Sequence, residues 1–267
     1  ERLNQIRLKE DIDNPKLARQ RQLEEAREKE KKIAKGIRRK EHIKQLEAKE
    51  LVEASSGSGF IVSKLGHIIT NNHVINGCSD LKIIWQGKKF SGTILHKDKV
   101  NDLALIKADF MPSLVFAISN KDAELIQDIY VAGYPFGNQI SNSIKVTKGI
   151  VSSLSGIADN SSHIQIDAAL QSGNSGGPIV DDKGNIVGVA VAKLDWAYMV
   201  KKFGQLPEDT NFAIKSSVLR SFMKSVGLDI IEGNKENVSI KVLANKLSKA
   251  TILVSCFMTY AQIEQLK

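Results

Sequence analysis

Three short segments of this chain contain the residue types that nucleophilic catalysis requires. His73 lies in Ile-Ile-Thr-Asn-Asn-His-Val-Ile, Asp102 in Asn-Asp-Leu-Ala-Leu-Ile-Lys, and Ser175 in Gly-Asn-Ser-Gly-Gly-Pro. A serine hydroxyl is a weak nucleophile at neutral pH unless an imidazole accepts its proton and a carboxylate holds that imidazole in one tautomer. The three residues together predict a hydrolase in which Ser175 attacks the substrate.

The glycines beside Ser175 predict a second part of the same site. Acyl transfer passes through a tetrahedral intermediate whose oxyanion must be met by backbone N–H groups. A turn that points the amides of Gly173 and Ser175 at one position suits glycine, which has no Cβ and tolerates unusual dihedral angles. We therefore expect Gly173 and Ser175 to form an oxyanion hole.

Other residues compete less well for these roles. Asp98 precedes Asp102 in the same loop, but the apolar run directly after Asp102 predicts that Asp102 is the carboxylate buried at a strand start. The remaining histidines lack the sequence that flanks His73; they are His42, His67, His96 and His163.

The chain from residue 59 to residue 214 has the pattern of short β-strands separated by turn residues. Eleven strands with little helix between them predict antiparallel barrels or a sandwich. A helix is expected at 218–226, and a mixture of helix and strand at 237–261. The predicted strands are 59–63, 67–70, 81–85, 90–96, 103–107, 129–133, 144–153, 163–167, 178–180, 186–193 and 211–214.

The three motifs, in the order His, Asp, Ser, resemble those of the trypsin-like serine proteases, and within that fold the bacterial HtrA/Deg branch. The resemblance runs from Gly57 to Gly227 and implies a mostly β protein with two six-stranded antiparallel β-barrels. It also implies the roles: His73 is the general base and acid, Asp102 orients it, and Ser175 is the nucleophile.

The same resemblance implies where the substrate side chain is held. The lining residues would be Ala169, Leu170, Val191, Ala192, Lys193 and Asn211. None of them is acidic, so a Lys or Arg at the cleaved position would lack a buried counter-charge. Because Leu170 makes the pocket shallow and apolar, small or medium uncharged side chains are expected, aliphatic ones first. The edge at 191–193 would pair with an extended polypeptide.

Asn174 marks a departure from digestive trypsins, which have an aspartate there that pairs with a freshly cut N-terminus. We therefore expect no activation by N-terminal cleavage. The HtrA branch uses loop order, assembly or a PDZ domain instead, and the stretch after Gly227 is too short for a PDZ domain.

Residues 1–54 differ in composition from the rest and predict a charged α-helical extension, starting at Asp13-Asn14-Pro15 and continuing to Glu53. Its apolar residues form only a narrow stripe, which is typical of a solvated helix. The alternative is a helix that mediates oligomerisation or contacts an upstream domain. The protease domain is expected at 55–227, and a short helix/strand extension at 228–267 should pack on it.

The formal net charge of +8 does not point to nucleic acid. Residues 1–54 contain 16 basic and 12 acidic residues and the remainder 22 and 18, so neither part forms a dense basic patch interleaved with aromatics. No segment is apolar over the roughly 20 residues needed to span a bilayer. No His, Cys and Asp cluster has metal-site spacing, so no metal or cofactor is expected.

The two cysteines, Cys78 and Cys256, leave two possibilities open. A weaker resemblance to secreted bacterial relatives, which have one cysteine after the histidine motif and another in a C-terminal strand, implies that they form a disulfide. An oxidising location, periplasmic or secreted, would then be favoured. The alternative is two separate buried thiols in a cytoplasmic protein.

The sequence thus predicts a serine endopeptidase of protein quality control that hydrolyses extended or unfolded polypeptides through an acyl-enzyme. One alternative is a binding or chaperone-like module that keeps the protease scaffold. Another is an adaptor whose N-terminal helix is the functional part.

Overall fold

The structure, a computed structural model, describes residues 15–135, 137, 143–192 and 210–266, in two separate compact units, residues 1–50 and 51–267. In the first unit, helix α1 (Pro15–Glu47) starts with proline, whose missing N–H is not needed in the first turn. Its apolar residues Leu23, Ile33 and Ile37 are all more than half exposed. Within the described residues, no helix is long and apolar enough to cross a bilayer.

The second unit begins earlier than the sequence predicted. Strand β1 (Leu51–Ile61) starts four residues after α1 ends, so residues 51–54 are strand and not helix. Leu51 and Val52 pair with Thr259 and Met258 of the last strand, β13 (Thr251–Thr259). Helix-favouring composition is overruled here because pairing with a distant strand satisfies the backbone and half-buries alternate side chains.

The second unit contains two closed antiparallel barrels of six strands each, which confirms the predicted fold class. The first has the strand order β1-β13-β3-β4-β5-β2. The second has the order β10-β7-β8-β9-β12-β11 and closes through the β10–β11 pair, with β6 added in parallel to β11. The remaining strands are β2 (His67–Thr70), β3 (Asp80–Trp85), β4 (Lys88–Asp98), β5 (Leu103–Ala108), β6 (Ala117–Ile118), β7 (Asp128–Gly133), β8 (Lys145–Ser153), β9 (His163–Ile166), β10 (Pro178–Val180), β11 (Asn185–Val191) and β12 (Asn211–Lys215).

Four helices accompany these strands among the described residues of the second unit, besides a short 3₁₀ turn at Ile157–Asp159. They are α2 (Asn72–Ile75), α3 (Ser216–Ser225), α4 (Ile240–Ala250) and α5 (Tyr260–Gln265). The barrel interiors contain branched aliphatic side chains and Phe60, all withdrawn from solvent. Burial of this kind stabilises by about 1.5–3 kcal/mol per large side chain.

The C-terminal segment, predicted as an extension that packs on the protease domain, contributes a strand to the first barrel itself. Strand β13 lies between β1 and β3 and pairs with both. Its residues from Thr251 to Cys256 are buried. Without this strand the first barrel would have two open edges, because β1 and β3 are not paired with each other.

Cys78 and Cys256 are joined in a disulfide, with their Cα atoms 5.3 Å apart. Cys78 follows helix α2, which contains His73, and Cys256 lies in the middle of β13. The neighbouring N–H of Ser79 donates to the carbonyl of Phe257 at 3.0 Å, so the backbones are also hydrogen-bonded here. The disulfide therefore attaches the barrel-closing strand to the segment that leaves the histidine.

We expect loss of this disulfide to destabilise the second unit. The bond joins residues 178 positions apart, and the chain-entropy model assigns a loop of this size a stabilisation of about 5 kcal/mol. Urea unfolding of the Cys78→Ser/Cys256→Ser double variant should show a lower free energy of unfolding and a larger m-value, because the unfolded chain without the cross-link is less compact. Thiol counting on unreduced, denatured wild-type protein provides the control, and two free thiols per chain would contradict the pairing.

Candidate active site

His73 and Asp102 form a hydrogen-bonded pair at one end of the first barrel. His73 lies in the single turn of α2 directly after β2, and Asp102 directly precedes β5. One carboxylate oxygen of Asp102 is 2.6 Å from Nδ1 of His73, and the other accepts the His73 backbone N–H at 2.8 Å. Because Nδ1 donates its proton to the carboxylate, Nε2 is left as the acceptor that a general base needs.

Asp102 has a backbone conformation that non-glycine residues rarely adopt, with φ of +53°. Its carbonyl accepts hydrogen bonds from the Asn72 backbone N–H at 3.1 Å and the Asn71 side-chain amide at 2.9 Å. Together with the two bonds to His73, these fix the residue on both sides. Conformations of this kind cost about 1–3 kcal/mol and persist where the surroundings determine them, as at functional sites.

Asp98, the competing carboxylate, is used within its own turn. It accepts hydrogen bonds from the backbone N–H groups of Val100 and Asn101, each at 3.0 Å, and from the Asn101 side chain at 2.6 Å. Partial burial alone would raise the pKa of Asp98, but these hydrogen bonds outweigh it and lower the pKa. Asp98 therefore stabilises the turn before Asp102 and does not contact His73.

Ser175 is 5% exposed and follows a tight turn of the second barrel. In that turn Asn174 N–H donates to the Gln171 carbonyl at 2.9 Å, and Gly173 has φ of +99°. Gly173 and Ser175 are both buried, yet among the described residues neither backbone N–H donates a hydrogen bond. Buried amides without an acceptor are rare in proteins. Two of them beside one serine suit an incoming negatively charged oxygen.

The Ser175 hydroxyl accepts a hydrogen bond from the Ala192 backbone N–H at 3.2 Å. Within the described parts of the chain, no hydrogen bond joins this hydroxyl to the His73 ring. Catalytic hydrogen bonds are often loose without substrate and tighten once it is bound.

The two glycines after Ser175 have a different role from Gly173. A Cβ on Gly176 would collide with the Thr70 hydroxyl and the Ser58 carbonyl, and a Cβ on Gly177 would collide with the Ala132 carbonyl. Gly176 also has φ of +81°. Both glycines therefore allow the backbone of the serine segment to approach neighbouring strands, a requirement that the sequence could not reveal.

The residues expected to line the substrate pocket fall in two neighbouring groups. Ala169 and Leu170 follow β9; the Ala169 carbonyl accepts from the Thr147 hydroxyl at 3.1 Å, and Leu170 packs against the core of the second barrel. Asn211, at the start of β12, donates to the Ala168 carbonyl at 3.0 Å. Val191 ends β11, and Ala192 contacts Ser175, whereas Lys193 lies outside the described residues.

Two polar residues near the site had no role assigned to them from the sequence. Burial lowers the pKa of His163; the negative charge of Asp102 opposes this effect, and the positive charge of Lys215 reinforces it. Nδ1 of His163 has no hydrogen-bond partner among the described atoms. Ser58 is fully buried, and its hydroxyl donates to the Gly173 carbonyl at 2.7 Å. The glycines on both sides of Ser58 were the one sequence signal for it.

In the described part of the chain, no group of three or more His, Cys, Asp or Glu residues could hold a metal ion.

The crowding at Gly176 leads to a prediction with a matched control. Gly87 has a similar φ of +75°, but a Cβ there would meet nothing within 4 Å. We expect Gly87→Ala to cost about 1–2 kcal/mol through its left-handed backbone. Gly176→Ala should cost about 1–3 kcal/mol more through overpacking and should reduce hydrolysis. Equal losses in the free energy of unfolding would contradict the close approach of the two segments.

Known proteins are similar to this chain over the region that contains His73, Asp102 and Ser175. Residues 57–189 match the family model described as a trypsin-like peptidase domain. The uncharacterized protein y4bJ of Sinorhizobium fredii is 34% identical over 205 residues, which are 76% of this chain and 32% of that protein. A probable periplasmic serine endoprotease, DegP-like, of Chlamydia pneumoniae is 36% identical over 154 residues, 55% of this chain and 31% of that protein.

A solved structure of a serine endoprotease is also similar to this chain. The crystal structure of the serine endoprotease from Yersinia pestis superposes with a TM-score of 0.52 and 30% sequence identity, covering 64% of this chain and 57% of that one. The chain thus spans 32% and 31% of the length of the two curated relatives.

Proposed function

Because this chain belongs to the trypsin-like serine proteases of the HtrA/DegP-like kind, we propose that it is an endopeptidase that cleaves polypeptides through an acyl-enzyme on Ser175. The observation that carries the proposal is the pair of amides at the buried residues Gly173 and Ser175, which have no acceptor among the described residues, together with the hydrogen-bonded His73–Asp102 pair. A protein that only bound peptides would need neither feature.

The proposed reaction begins when Nε2 of His73 accepts the proton of the Ser175 hydroxyl as Oγ attacks the peptide carbonyl. The amides of Gly173 and Ser175 donate to the resulting oxyanion, and one such donor typically contributes a factor of about 10²–10³ in rate. His73 then gives its proton to the leaving amine, leaving an ester on Ser175. Water, deprotonated by His73, hydrolyses that ester, while Asp102 stabilises the imidazolium in each step.

The proposed specificity follows from the chemistry of the pocket residues. Ala169, Leu170 and Val191 are apolar, and Asn211 uses its amide group to fix the Ala168 carbonyl. A cationic side chain entering this pocket would lose its hydration without gaining a carboxylate partner. The proposal is therefore a preference for aliphatic residues at the cleaved position.

Extended or unfolded polypeptides are the proposed substrate class. The backbone beyond Val191 leaves β11 next to Ser175, and a substrate strand added there would place its carbonyl against the two amides. Addition of a strand needs main-chain groups that are not already paired, which folded segments do not offer. A role in protein quality control would follow from that requirement, and no cofactor takes part in the proposed steps.

An oxidising location, periplasmic or secreted, is proposed from two observations. The disulfide between Cys78 and Cys256 is of a type that persists in such compartments. The Chlamydia pneumoniae relative is named as a probable periplasmic protein. For α1, the proposal is a helix that contacts another copy or an upstream domain, since its apolar residues Leu23, Ile33 and Ile37 are exposed.

We expect Ser175→Ala to abolish casein cleavage and leave the thermal unfolding midpoint nearly unchanged. Loss of a triad member removes both proton transfer and the acyl-enzyme, and typically costs several orders of magnitude in rate. A variant that retained more than about a tenth of wild-type activity would refute the assignment of the nucleophile. Inactivity of the wild-type protein itself would favour the binding or chaperone-like alternative.

The pocket predicts a ranking of peptide substrates. In a series that differs only at the cleaved position, kcat/KM should be highest for Val, Leu or Ala and lower by a factor of about 10² or more for Lys, which would be buried unpaired. Norleucine is the matched control, because it has the length of the lysine chain without the charge. Faster cleavage after Lys than after norleucine would contradict the proposed pocket.

A further inference from the structure

Ser58 connects the first barrel to the turn that precedes the nucleophile. It lies in β1 and is fully buried. Its backbone N–H donates to the Ser175 carbonyl at 2.8 Å, and its own carbonyl accepts the Thr70 hydroxyl at 2.7 Å. Its side-chain hydroxyl donates to the Gly173 carbonyl at 2.7 Å and accepts the Tyr134 backbone N–H at 2.9 Å. Every polar group of the residue is therefore used.

The hydrogen bond from Ser58 to the Gly173 carbonyl matters because glycine has no side chain that restricts its backbone conformation. Without a Cβ, Gly173 can rotate between conformations at little steric cost. The Gly173 N–H is one of the two amides without an acceptor among the described residues. The Gly173 carbonyl belongs to the next peptide group, shared with Asn174, and accepts the Ser58 hydroxyl. The Asn174 N–H of that same peptide donates to Gln171 at 2.9 Å. The peptide is thus fixed from both sides, and rotation of Gly173 would break one or both bonds.

The space around the Ser58 hydroxyl is closely filled. A Cβ on Gly133 would come within 2.8 Å of this hydroxyl and 2.5 Å of the Asn174 side-chain oxygen. Among the described residues, the Ser58 hydroxyl is the sole donor to the Gly173 carbonyl. Removal of the Ser58 hydroxyl would therefore leave the Gly173 carbonyl without its donor.

A second contact extends this connection to the barrel-closing strand. Tyr134, whose N–H donates to Ser58, is 8% exposed, and its phenol hydroxyl is 3.5 Å from the Thr251 carbonyl at the start of β13. Burial raises the pKa of Tyr134, so the phenol keeps its proton and can donate it. A continuous set of hydrogen bonds therefore runs from β13 through Tyr134 and Ser58 to Gly173.

We propose that Ser58 is a positioning residue: by holding the peptide group between Gly173 and Asn174, it fixes the backbone rotation of Gly173 and so keeps the Gly173 N–H, on the preceding peptide group, turned toward the developing oxyanion. The inference rests on the proposed function, because only an acyl-transfer reaction forms that oxyanion. Ser58 touches neither the substrate nor the reacting atoms. Its loss should weaken transition-state binding while substrate binding is retained.

The test compares Ser58→Ala with Ser255→Ala. Ser255 is also fully buried in the first barrel, but its hydroxyl has no hydrogen-bond partner among the described residues. With an aliphatic peptide substrate, Ser58→Ala should lower kcat by a factor of about 10–10² and change KM less than about threefold. The inhibition constant of a peptide boronic acid, whose tetrahedral adduct places an oxygen at the two amides, should rise by a similar factor. Ser255→Ala should change neither quantity.

A second measurement separates this inference from the proposed function. In ¹⁵N-labelled protein, the Gly173 amide resonance should shift or broaden in Ser58→Ala and stay in place in Ser255→Ala, whether or not the wild type hydrolyses peptides. If Ser58→Ala does not fold, Ser58→Gly also removes the hydroxyl without adding bulk and should show the same changes. An unchanged Gly173 resonance, or a kcat equal to that of Ser255→Ala, would overturn the inference.

Discussion

Ser175 belongs to the second barrel and His73 and Asp102 to the first, so their chemistry depends on how closely two backbones meet. That distance is set where Gly176 and Gly177 lie against Thr70, Ser58 and Ala132, with no room for a Cβ. The Ser58 N–H fixes the contact between the barrels through its bond to the Ser175 carbonyl at 2.8 Å. A larger residue at Gly176 would push the Ser175 segment away from β1 and β2 of the first barrel.

The first barrel, in turn, depends on the end of the chain. Strand β13 separates β1 from β3, and the disulfide attaches it to the segment after His73. Asp102 occupies an unfavourable backbone region, which a loosened barrel would allow to relax. Through the disulfide and the hydrogen bond from Ser79 to Phe257, β13 is bonded to the segment that follows His73. Loops with perturbed geometry need rigid elements of this kind to hold them.

The sequence predicted the features that depend on local pattern. Short β-rich runs between turn residues located strands such as 67–70 and 178–180 with their observed bounds, and the flanking residues distinguished Asp102 from Asp98. It failed where a distant partner decides the structure. Residues 51–54 have a helix-like composition and become strand because β13, about 200 positions later, pairs with them. The role of Ser58 was missed for the same reason, since a serine between two glycines has no sequence pattern that names its partner at Gly173.

Reaction with a fluorophosphonate tests the central claim most directly, because it requires a serine activated by a histidine and an adduct oxygen bound by the two amides. Intact mass and peptide mapping of the labelled protein should show a single phosphonyl group on Ser175. The labelling rate should fall by up to about 10⁴ in Asp102→Asn, which alters the imidazole tautomer and leaves the geometry in place. A folded wild-type protein that stays unlabelled, or that is labelled equally fast in Asp102→Asn, would contradict the account.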